Sequence, residues 1–182
     1  MADGTLKVGT ITTSSGSGTI TLGQSGETIA IPSGVTLTNS GTATGFGKVL
    51  QVVSTAFTST NTSTTSTSDV AISGFSASIT PSSASNKVLI LVNANGLSST
   101  ATYGLLKVYK NGSQLIQIAG QFSYDGNVSE EDNSSASVSY LDSPSTTSST
   151  TYAIYWRSGN GSGVFINANA STSTITLMEI AV

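Results

Sequence analysis

The residues able to do chemistry are few and scattered. Nine carboxylates, five lysines and a single arginine, Arg157, are spread over 182 residues that contain no histidine and no cysteine. Acid–base catalysis near neutrality draws most often on histidine, and metal centres draw on clusters of histidine, cysteine or carboxylate. A carboxylate pair could still cleave a glycosidic bond, and Asp142 and Glu179 both fall in segments with strand patterning. Such enzymes need a defined carboxylate separation and usually a cleft lined with aromatic rings. Trp156 and six tyrosines are a thin supply for one. No enzymatic activity is expected.

The densest charge lies between Asp125 and Asn133, where Asp125, Glu130, Glu131 and Asp132 crowd a short loop. Oxygen ligands at that density could hold calcium, but their spacing is not that of an EF-hand loop. A solvated apical loop carries such charge without a metal. These four residues are therefore read as an exposed recognition loop, with no metal and no cofactor.

Two glycine-rich stretches resemble phosphate cradles only superficially. Gly45-Phe46-Gly47-Lys48-Val49 has threonine at position 42 and no hydroxyl residue after the lysine, and Gly16-Ser17-Gly18 lacks the third glycine of a dinucleotide fingerprint. Both read as turns. Six Asn-x-Ser/Thr sequons, beginning at Asn61, Asn111, Asn127, Asn133, Asn160 and Asn169, arise readily in a chain of which roughly a third is Ser or Thr.

Net charge is −3, so no basic patch is available to neutralise a nucleic-acid backbone. The longest wholly apolar run, Val88-Leu89-Ile90-Leu91-Val92, is too short to span a bilayer. Met1-Ala2-Asp3-Gly4-Thr5 lacks the basic and apolar regions of a secretory signal, which points to synthesis in a cytoplasm. Neither nucleic-acid binding nor membrane insertion is expected.

The elements that would carry these residues fall into two segments. Residues 1–46 have Asp3, Lys7 and Glu27 as their only charges, and Phe46 as their only aromatic. Short alternating units recur between glycines at 6–8, 19–22, 28–31 and 35–37, with Ile20/Leu22 and Ile29/Ile31 nine residues apart. Strands this small cannot build a core in one chain. Three copies about a common axis would bury Ile20, Leu22, Ile29 and Ile31, and the segment reads as a trimeric stalk or anchor.

Residues 47–182 read as one all-β domain. Strands are expected at 48–57, 69–72, 75–80, 87–93, 103–110, 113–118, 136–141, 151–157, 163–167 and 173–182, separated by turn clusters. Asn111-Gly112 between two apolar-patterned runs predicts a two-residue type I′ hairpin. Val88–Val92 is apolar on both faces, which places it mid-sandwich or at a subunit contact. With about ten strands and no helical pattern, a jelly-roll-like β-sandwich is the most economical arrangement.

Several stretches together resemble virion proteins of tailed bacteriophages, marine ones in particular. They are Thr28-Ile29-Ala30-Ile31-Pro32-Ser33-Gly34-Val35-Thr36-Leu37, the segment Ser40-Gly41-Thr42-Ala43-Thr44-Gly45-Phe46-Gly47-Lys48-Val49, the segment Pro81-Ser82-Ser83-Ala84-Ser85-Asn86-Lys87-Val88, and Ser173-Thr174-Ile175-Thr176-Leu177-Met178-Glu179-Ile180-Ala181. The resemblance implies a structural subunit of the virion, usually trimeric, with a slender N-terminal part and a C-terminal β-domain. It brings no catalytic residue with it. The expectation is a homotrimeric tail or head fibre that attaches to the particle through its N-terminal segment and recognises host surface glycans. A capsid decoration that stabilises the shell, or a secreted carbohydrate-binding or adhesin module, is the alternative.

Overall fold

The computed structural model describes residues 9–13, 18–36, 38, 40, 48–123 and 133–182. The chain divides into two compact units, Met1–Gly45 and Phe46–Val182.

The second unit is all-β. Its described residues form β1 (Val49–Phe57), β2 (Thr62–Thr64), β3 (Val70–Ile79), β4 (Lys87–Ser99), β5 (Gly104–Lys110), β6 (Ser113–Phe122), β7 (Ser134–Asp142), β8 (Thr150–Ser158), β9 (Val164–Ile166) and β10 (Ser173–Ile180). One sheet runs β1-β10-β4-β7, and the far end of β4 also carries β9 and then β2; the other sheet runs β3-β8-β5-β6. The short β2 and β9 aside, eight antiparallel strands are shared between two four-stranded sheets in the order of a jelly roll.

Period-two patterning builds the core. In β8, Tyr152, Ile154 and Trp156 are buried while Ala153, Tyr155 and Arg157 are only half so. Val88, Ile90 and Val92 of β4 and Ile175 and Leu177 of β10 meet them from the facing sheet. Phe57 of β1 stacks on Phe75 of β3 with ring centroids 5.1 Å apart, closing one edge between the sheets. At the β5–β6 hairpin, Asn111 (φ 47°) and Gly112 (φ 83°) both take the left-handed conformation that a type I′ turn requires.

Four elements differ from expectation, one being β6, which runs four residues past the expected 118 to Phe122. Residues 69–72 and 75–80 belong to the single strand β3, whose pairing with β8 shifts register between Ala71 and Ser76 around Gly74. Strand β4 runs six residues past the expected 93 to Ser99, through a register shift between Ala94 and Leu97. β2 was not anticipated, because Thr62-Ser63-Thr64 has no apolar face and exists only by pairing with β9.

The outer faces of the two sheets are unlike each other. On the β3-β8-β5-β6 sheet, Lys107 pairs across from Tyr155, Leu105 from Arg157 and Tyr109 from Ala153, which places charged and phenolic groups outside. On the β1-β10-β4-β7 sheet, the register aligns Val52, Met178, Leu89 and Leu141 in one outward row across all four strands. The row beyond it, at the β1 start, holds Val49, Ile180 and Lys87, with Leu50 in a bulge beside them. Toward the other end the rows become Ser54-Thr176-Leu91-Ser139 and then Ala56-Thr174-Asn93-Ser137.

In the first unit, the described residues form turns and extended chain but no strand. The strands expected at 19–22 and 28–31 are therefore not formed in a single chain, since a strand exists only against a ladder partner. The units expected at 6–8 and, in part, 35–37 lie outside the described residues. Two turns of one kind occur eight residues apart: Glu27 N donates to Gln24 O (3.0 Å) and Val35 N donates to Pro32 O (3.2 Å). Their third residues, Gly26 (φ 90°) and Gly34 (φ 84°), have the positive φ of type II turns.

Candidate functional site

The three described carboxylates of the second unit, Asp69, Asp142 and Glu179, are each held by side-chain donors. Glu179 is buried in β10, and it accepts hydrogen bonds from Gln51 Nε2 (2.6 Å), Ser82 N and Oγ (both 2.7 Å) and Asn86 Nδ2 (2.6 Å). Burial alone would raise its pKa; the four donors outweigh it and bring it down to about 2. The arrangement pins β1 and the β3–β4 loop to β10.

Asp142, at the end of β7, takes Lys110 Nζ (2.9 and 3.1 Å) and Tyr152 Oη (2.7 Å) from the opposite sheet. Burial, then the bond to Asp142, pushes the Tyr152 phenol far above its ordinary value. Asp142 and Glu179 both lie beside Val88, one on each flanking strand. That is two strand spacings, about 10 Å of backbone. Each is held by its own donors, so the two act as separate struts.

A third cluster sits on the outer face of the β3-β8-β5-β6 sheet. Asp69 Oδ2 accepts from Lys107 Nζ (2.6 Å) and Tyr109 Oη (2.7 Å), and Arg157 Nε lies 3.7 Å from Asp69 Oδ1. Arg157 also donates to Thr67 O (3.3 Å). The Tyr109 and Tyr155 rings stack at 3.9 Å. Burial opposes ionisation of Asp69, but the bonds from Lys107 and Tyr109 outweigh it and lower its pKa. The bond to Asp69, with burial, raises the Tyr109 phenol to about 12. Sequence reasoning missed this cluster. Its signal was the i, i+2 spacing of Lys107/Tyr109 and Tyr155/Arg157, but which strands pair is a long-range fact.

No three described His, Cys, Asp or Glu residues converge to hold a metal ion. Two open clefts flank the tight left-handed turn at Asn167–Ala170. One of about 430 Å³ is lined by Asn95, Asn133, Ser134 and Thr172 among others. The second, of about 370 Å³, is lined by Asn61, Ser98, Thr100 and Phe165. Among the described residues, amides and hydroxyls dominate the lining of both, and no described carboxylate lines either.

The residues expected to meet on a trimer axis are all described. Ile20, Leu22, Ile29 and Ile31 are 43%, 61%, 59% and 48% exposed in the single chain, so none finds a partner there. Ile11 and Val35 are exposed beside them in sequence. The recognition-loop residues Asp125, Glu130, Glu131 and Asp132 lie outside the described residues.

No protein family and no curated protein matches the chain. The geometry must therefore carry the functional reading.

Proposed function

We propose that the protein is a non-enzymatic structural subunit of a tailed-phage virion, a homotrimeric fibre anchored to the particle by its N-terminal segment. The observation that carries this reading is the unpartnered apolar set Ile20, Leu22, Ile29 and Ile31. Four large aliphatic side chains about half exposed within twelve residues are costly to leave in water, at roughly 25 cal/mol per Å². Three copies around one axis remove that surface together. The jelly roll supports the same reading, because its core is built wholly from its own strands. The committed carboxylates also fit a passive role.

Host surface glycans are the proposed ligand of the C-terminal domain, and its amide- and hydroxyl-lined clefts suit a neutral polar ligand. Localisation tests the placement. An antibody to the C-terminal domain should decorate purified phage particles at the tail or a head vertex, with density of three-fold symmetry at that point. Labelling spread evenly over the capsid lattice would favour a shell decoration instead, and absence of the chain from purified particles would end the virion reading.

A further inference from the structure

The outer face of the β1-β10-β4-β7 sheet breaks the usual rule for an antiparallel sandwich. One face of such a sheet packs on the core and the other is solvated and polar. Here the outward row Val52, Met178, Leu89 and Leu141 is wholly apolar, and Leu50 and Ile180 extend it toward the start of β1. Val52, Leu50 and Leu141 are 55%, 50% and 48% exposed. The opposite sheet bears its charges outside, so the asymmetry belongs to this face alone.

We infer that this face is the contact surface between copies of the jelly-roll domain, turned toward the three-fold axis. The inference rests on the homotrimer proposed above and names the surface that makes it.

Three observations favour a further copy of the chain as the occupant. Lys87 is the only charged side chain in the four outward rows, so the face offers little with which to select a differently charged partner. Nine-residue strands at about 3.3 Å per residue, four abreast at about 4.8 Å, give a face of roughly 600 Å² in projection. With its apolar rows as the core and its Ser/Thr/Asn rows as the rim, that is the scale of one side of a standard interface, about 800 Å² of accessible surface. Finally, β1 begins at Val49, at the apolar end of the face, and the unit bearing Ile20, Leu22, Ile29 and Ile31 precedes it directly in the chain. Association of three copies then buries each apolar set against its equivalents in the other two.

The chain has no cysteine, so a single introduced thiol reports on its own position. Val52→Cys places one on the apolar face, and Gln117→Cys places one on an exposed position of β6 in the other sheet. Both full-length variants are alkylated with a maleimide at a concentration where light scattering gives the oligomeric mass. Val52→Cys should react at least tenfold more slowly than Gln117→Cys, and the two rates should converge in urea. An oligomer in which both thiols react alike would overturn the interface while leaving the trimer in place. A monomer with a freely reacting Val52→Cys would overturn both. A protected thiol in a monomer would also overturn the interface, by making the chain's own N-terminal unit the cover.

Leu141→Glu supplies a second reading, since Leu141 is half exposed on an edge strand and a carboxylate there stays hydrated in the free chain. Its dissociation constant should rise at least tenfold with the circular dichroism of the domain unchanged. Unaltered association would count against the interface.

Discussion

At the scale of single residues, the charged groups behave as braces. Glu179 is the clearest case, a buried carboxylate facing four donors. Its pKa of about 2 lies below the ordinary 4.5. The unfolded chain therefore binds the proton first as pH falls. The stabilisation is complete above about pH 4.5 and is lost as pH drops through about 2, and it amounts to on the order of 3 kcal/mol. Glu179→Gln should remove it, because the amide carries no charge and turns an NH2 group toward the N–H donors of Gln51, Ser82 or Asn86. Urea denaturation at pH 7 should show the loss, and between pH 4.5 and 2 the variant's stability should fall less steeply than the parent's, Asp69 still contributing to both. Parallel pH profiles for the two proteins would show that Glu179 is not the brace described. The sequence marked Glu179 and Asp142 as strand carboxylates, but what they bond to was not legible. Their partners lie between 10 and 128 positions away along the chain, and only the strand order brings them together.

At the scale of elements, local chemistry was readable and long-range pairing was not. Asn111-Gly112 declares its turn because two consecutive positive φ values suit few other residue pairs. The alternation of Tyr152, Ile154 and Trp156 declares a strand with one buried face. By contrast, β3 read as two strands because Ser73-Gly74 looks like a turn, whereas it is an irregularity within one strand. The end of β4 read as loop because Asn93 to Gly96 is turn-rich in composition, yet β7 and β9 hold it as strand. In the N-terminal unit the apolar spacing was legible, but strand formation depends on neighbours that a lone chain lacks. Ile29→Asp with Ile31→Asp tests that dependence. In a trimer it sets six carboxylates on one axis, where unpaired buried charge is severely destabilising. Limited proteolysis should then cut within residues 18–36 while the thermal transition of the Phe46–Val182 unit stays within about 2 °C of the parent's. Undiminished protease resistance of that segment would mean its isoleucines do not face an axis.

At the scale of the whole molecule, each of the two units exposes an apolar set among its described residues. One is the Ile20–Ile31 set of the first unit; the other is the outer row of the β1-β10-β4-β7 sheet. A domain with a complete core of its own does not need the second, and a segment without strands cannot satisfy the first. Association of copies accounts for both, whereas a monomeric binding module or adhesin accounts for neither. The most direct measurement is the solution mass of the full-length chain by multi-angle light scattering. The account predicts three times the chain mass of 18.3 kDa, held on dilution to micromolar concentration. A stable species at the single-chain mass, with residues 18–36 ordered and protease-resistant, would contradict it.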